Sequence, residues 1–105
     1  MSYRFYMFER REHAKHEDLA NAALALCKGA RQTEGINSAK FFWSGFDDIV
    51  FLIEGDNNAL NAPFSGDPEA NARAGFAFMD LAKQKMDIRL TDPKISAEAF
   101  RMAGR

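Results

Sequence analysis

A chain of 105 residues, 47% hydrophobic and 28% charged, has room for one layered core and lacks the composition of an intrinsically disordered segment. Its 14 basic and 15 acidic side chains leave a net charge of -1 with no Lys/Arg block, so the electrostatic footprint of a nucleic-acid binder is missing. No apolar run approaches the roughly 18 residues of a membrane span, the N-terminus lacks the order of a signal peptide, and the single cysteine, Cys27, excludes an internal disulfide and points to a reducing cytoplasm.

Tyr3 to Phe8 reads as an aromatic strand, with Tyr3, Phe5 and Met7 on one face and Arg4, Tyr6 and Phe8 on the other. From about Lys15, apolar residues at 19, 23, 26 and 30 mark an amphipathic helix. Gly29 is a candidate early stop for that helix and Gly35 a firmer one, since a mid-helix glycine costs about 1 kcal/mol against alanine. Ile36 to Trp43 and Ile49 to Glu54 read as two strands of a hairpin joined by Ser44 to Asp48. The run Ile49-Val50-Phe51-Leu52-Ile53 is apolar on both faces and so must be covered on both.

A polar loop follows from Gly55 to Gly66, with asparagines at 57, 58 and 61. Its length is near the roughly 12 to 15 residues beyond which loops are usually functional or disordered. Asp67-Pro68 opens a second helix, with aspartate at the cap and proline at the first position. Its expected buried stripe is Ala72, Gly75, Phe76, Met79 and Ala82, with Arg73, Asp80 and Gln84 on the wet side and Lys83 and Lys85 at the helix end. Met86 to Thr91 alternates strictly, as an edge strand does. Residues 1–91 therefore form one domain, and 92–105 a tail in which Ser96 caps a short helix with Ile95 and Phe100 as a staple.

The order βαββαβ is the α+β, ferredoxin-like plan: a four-stranded antiparallel sheet with two helices on one face. That plan puts the first and third strands in the middle, and these are the two that are apolar on both faces. Over residues 3 to 91 the element order, length and strand polarity resemble the dimeric α/β-barrel superfamily, in which two such protomers pack sheet against sheet. The resemblance implies a homodimer, with interface positions expected among Trp43, Phe51 and Ile53. Members include cofactorless monooxygenases, small-molecule isomerases, haem-degrading enzymes and stress-response proteins.

Few residues carry chemistry. His13 and His16 form H-x-x-H beside Glu12, Glu17 and Asp18, but no third His or Cys completes a familiar metal set, so solvated residues and no metal are expected. Haem-degrading relatives bind iron through a histidine, often on the second helix. That helix has none here, and no cofactor is expected. His13 is the candidate acid or base, with a surface loop histidine as the alternative. Tyr6 is the candidate hydrogen-bonding group of the site and Arg4 a guanidinium for an anionic or aromatic ligand, against core packing for Tyr6 and the dimer rim for Arg4. Trp43 is an apolar wall or an interface residue, and Asn57 or Asn58 closes the site by side-chain hydrogen bonds. Cys27 reads as a small core residue. The leading reading is a cytoplasmic homodimer that holds a small aromatic or apolar molecule between sheet and helices, with cofactorless monooxygenase or isomerase chemistry. The competing reading is a non-enzymatic stress-response or assembly module.

Overall fold

Side chains alternate across a strand, and the pairing of the strands decides which set each face receives. In the computed structural model, which describes residues 2–90, β1 (Ser2–Arg10) pairs antiparallel with β3 (Asp48–Gly55), setting Tyr6 opposite Phe51 and Phe5 opposite Leu52. On the far side of β3, β2 (Ile36–Ser44) sets Ala39 opposite Ile53 and Phe41 opposite Phe51. On the far side of β1 lies β4 (Ala82–Leu90), and the order β2-β3-β1-β4 puts the two doubly apolar strands in the centre. The ferredoxin-like arrangement stands as the strand polarity predicts. The helix expected in the tail 92–105 lies outside the described residues.

Helix α1 (His16–Arg31) starts with Glu17 and Asp18 in its first turn, where carboxylates complement the positive end of the dipole, and buries Leu19, Ala23, Leu26 and Ala30 as their spacing requires. It does not stop at Gly29. That glycine is an interhelical contact: a Cβ there would strike Oδ1 of Asn71. Gly35, at φ 88°, makes the turn into β2, and Gly45, at φ 75°, makes the hairpin turn to β3. The polar segment after β3 contains a short helix, α2 (Asn57–Asn61), capped by the Asp56 carboxylate, which accepts from the Ala59 N–H at 2.9 Å. Leu60 is its anchor in the core.

Helix α3 (Pro68–Leu81) begins at the predicted cap, with the Asp67 carboxylate accepting from the Ala70 N–H at 3.2 Å. Its buried face differs from the expected one: Asn71 and Phe78 are buried, whereas Phe76 is 75% and Met79 41% exposed. The cause is contact geometry. Asn71 donates from Nδ2 to the Phe64 carbonyl and abuts Gly29, and the Phe78 ring meets Phe8 and Phe51 edge-on at 4.8 and 5.3 Å. These contacts set the rotation of α3, and a hydrophobic stripe that excludes asparagine misses it. The helix also ends earlier than its charges suggested, because β4 starts at Ala82; Lys83 and Lys85 lie on that strand and reach Glu9 and Asp48.

Both long helices cover the face carrying Phe8, Ile49, Phe51 and Ile53, all of which belong to the core cluster. The expectation that Phe51 and Ile53 face a partner is therefore overturned: they are 1% and 0% exposed beneath the chain's own helices. Trp43 shares their side of the sheet, opposite Ile49, at the outer end of β2. The face away from these helices carries Phe5, Met7, Phe42, Val50 and Leu52, continued on the edge by Met86, Ile88 and Leu90.

Candidate functional site

Between sheet and helices a small cavity of about 80 Å³ is lined by Tyr6, Phe8, Leu26, Phe51 and Phe64. Three strand residues form its floor because Tyr6, Phe8 and Phe51 share the helix-side face of adjacent central strands. Leu26 closes it from α1, and Phe64 from the turn between α2 and α3. The rings are in register with one another, Tyr6 being 6.1 Å from Phe8 and 6.3 Å from Phe64 between centroids. Tyr6 is the one lining residue whose side chain carries a polar group, its phenol. Burial pushes its pKa up to about 12, with the nearby Arg4 charge acting the other way. At neutral pH it is a protonated hydroxyl able to donate and to accept.

Arg4 underpins that tyrosine. Its guanidinium carbon lies 5.0 Å from the Tyr6 ring centroid, a cation–π distance. Its Nε and Nη2 donate to the two carboxylate oxygens of Asp87 at 2.9 and 2.7 Å, and Nη1 donates to the Leu60 carbonyl at 2.6 Å. This bidentate geometry holds the Asp87 carboxyl below its usual range. Arg89 completes the support by donating to Asn61 Oδ1 at 2.8 Å and to the Asn57 carbonyl at 3.2 Å. The helix-side charges of β1 and β4 thus bind α2 to the sheet.

The other residues singled out in the sequence lie away from this cavity. His13 is exposed in the turn before α1. Asn57 and Asn58 are exposed on α2, which turns Leu60 inward instead. The His16 ring packs tilted against Phe46 at 4.5 Å and Trp43 at 5.3 Å and has Nε2 2.9 Å from the Phe46 carbonyl, so Trp43 belongs to an aromatic cluster at the hairpin end. Near that end an open groove of about 400 Å³ is lined by Glu9, Arg10, Arg11, Glu12, Asp47 and Lys83. Its charges oppose one another, Arg10 meeting Asp47 at 2.8 Å and Lys83 approaching Glu9 at 3.7 Å. Among the described residues no group of three or more His, Cys, Asp or Glu side chains could hold a metal ion. Cys27 is buried and its thiol pushed up to about 11 by desolvation, which keeps it protonated and unreactive.

Phe8, Leu26, Phe51, Phe64 and Asn71 are the participants sequence reasoning missed; Phe8 and Phe51 were read only as strand or interface residues. Leu26 carried a helical-period signal, but as a core residue. Phe64 sits in a turn, where periodicity has no meaning. Asn71 is polar, and its burial depends on the glycine across from it.

Neither a protein-family model nor a curated protein matches the sequence. Solved structures do match the fold. A cofactor-independent oxygenase from Streptomyces nogalater superposes with a TM-score of 0.72 at 11% identity, over 87% of this chain and 91% of that one. A protein from Mycobacterium tuberculosis gives 0.69 at 17% identity, over 87% and 93%. An antibiotic biosynthesis monooxygenase gives 0.60 at 16% identity, over 86% and 97%. Among the described residues no helix is long and apolar enough to cross a membrane. The chain has the ferredoxin-like fold of these solved structures.

Proposed function

We propose that this chain binds a small apolar or aromatic molecule in the cavity beside Tyr6, as one half of a homodimer in the cytoplasm. The observation that carries the reading is the lining: hydrocarbon walls and one neutral phenol, the pattern of a pocket that selects by shape and orients by a single hydrogen bond. Likeness of fold to a cofactor-independent oxygenase suggests the chemistry of cofactor-free monooxygenation. In such a reaction an activated substrate methylene and dioxygen give a ketone and water, the substrate supplying all four electrons. Tyr6 would hold the substrate oxygen.

The competing reading, binding without turnover, is favoured by one observation: the described cavity wall carries a phenol held protonated and no ionised base. Thermal-shift measurements with phenol and toluene test the common part. Both should raise the melting temperature, because a ligand bound only by the folded state stabilises it. Tyr6→Phe should weaken phenol about fivefold, roughly 1 kcal/mol for one hydrogen bond, and leave toluene unchanged. Equal loss or retention for the two ligands would place the site elsewhere. Oxygen uptake at the uncatalysed rate with a ligand known to bind would decide for binding alone.

A further inference from the structure

We infer that Phe64 sets the size of ligand this cavity accepts, and that Asn71 and Thr33 are positioning residues acting through it; the inference rests on the cavity reading above. The volume of about 80 Å³ is smaller than the roughly 150 Å³ of an engineered apolar cavity that takes up benzene. A ring enters only if a wall yields. Phe8, Leu26 and Phe51 cannot yield cheaply, since they are buried on two central strands and a helix, with Phe8 and Phe51 held edge-on by Phe78. Tyr6 lies on β1 beneath the Arg4 guanidinium. Phe64 alone of the lining side chains stands outside strand and helix, half-buried in the turn before α3.

That turn is nonetheless latched. Asn71 of α3 donates from Nδ2 to the Phe64 carbonyl, and the Gly66 N–H donates to Thr33 Oγ1 at 3.0 Å. Thr33 is itself fixed, its hydroxyl donating to the Gly29 carbonyl at 3.1 Å. Both Asn71 and Thr33 are buried. Two glycines make the closeness possible: a Cβ on Gly66 would lie 2.7 Å from the Gln32 carbonyl oxygen, and one on Gly29 would strike Asn71. Both hydrogen bonds fall just after the Phe64 side chain along the chain, at its own carbonyl and at the Gly66 N–H, so they fix the backbone of the turn while leaving the ring the cavity's movable wall. The ligand class that follows is a single six-membered ring or smaller, with fused two-ring compounds rejected.

The test measures dissociation constants for phenol and 1-naphthol by calorimetry. Wild type should prefer phenol, and Phe64→Ala should shift the ratio toward 1-naphthol by about tenfold or more, the scale on which pocket size discriminates. Phe64→Leu, which keeps an apolar side chain in the turn, should give an intermediate shift. Thr33→Val, which removes the latch to Gly66, should shift the ratio the same way, and Thr33→Ser should restore it. In the Phe64→Ala background Thr33→Val should cause no further change, an outcome that a merely structural threonine would not produce. Binding of both probes at the wild-type ratio by Phe64→Ala and Phe64→Leu overturns this inference alone, and equal shifts by Thr33→Val with and without Phe64 overturn the latch. Binding of neither probe by wild type or Phe64→Ala overturns the cavity reading with it.

Discussion

Arg4, Tyr6 and Asp87 show how one strand face can combine a core role and a polar one. Tyr6 completes the cavity wall with its ring, and its hydroxyl is the group we propose for a ligand. Arg4 was a candidate ligand-binding group in the sequence; in the structure its donors go to Asp87 and Leu60. The pairing makes a prediction on the acid side. Because the folded protein holds the Asp87 carboxyl below its usual range, this group stabilises the fold above the unfolded value of about 3.9 and loses that contribution as pH falls toward the folded value. Asp87→Asn should therefore lower the urea midpoint near pH 6, and the gap from wild type should close below about pH 4. A gap that is constant across this range would remove the ion pair as its cause.

At the scale of elements, glycine at position 29 illustrates why propensity and contact disagree. Helix propensity alone predicts that Gly29→Ala stabilises α1 by about 1 kcal/mol. The structure predicts the opposite, since the new methyl would displace the Asn71 side chain and leave the Phe64 carbonyl without its donor, a loss of about 1–3 kcal/mol. A net destabilisation of up to about 2 kcal/mol is expected in chemical denaturation, and stabilisation would disprove the contact. The same contact explains why the α3 stripe was not legible. Residues 76, 78 and 79 are all apolar, so two rotations of the helix bury comparable surface, and a polar asparagine decides between them. The segment before α3 likewise read as a polar loop, because the Leu60 anchor and the Arg89 bonds that hold α2 to the sheet are tertiary contacts.

On the scale of the molecule, β4 is informative about assembly. Its charged set, Asp87 and Arg89, turns toward the helices and bonds Arg4 and α2. Its apolar set, Met86, Ile88 and Leu90, turns to the open face and stays 45%, 43% and 46% exposed. With Phe42 at 52% on the opposite edge, apolar side chains are exposed at both edges of this face, the kind of surface that marks an interface. We therefore propose the homodimer through these residues. Ile88→Asp should give monomers in sedimentation equilibrium at micromolar concentration with an unchanged circular dichroism spectrum, since the position is already solvated in the protomer. Phe51→Asp should unfold the chain instead, because it places a charge in the core. Ile88→Asp that leaves the assembly intact would move the interface off this face.

Strand order, the covered central strands, the α1 stripe and the Asp67 cap of α3 were determined by the sequence itself, because each rests on local chemistry: alternation, a helical period, or a side chain bonding to a backbone a few residues away. Tyr6 was legible for the same reason, as a phenol on a strand face. Which way each sheet face points, the rotation of α3 and the wall formed by Phe64 were decided only by tertiary structure. Each depends on partners remote in sequence, Phe51 beneath α1 and α3, Asn71 against Gly29, and Thr33 holding Gly66, and no periodicity in a single segment encodes where such partners will meet.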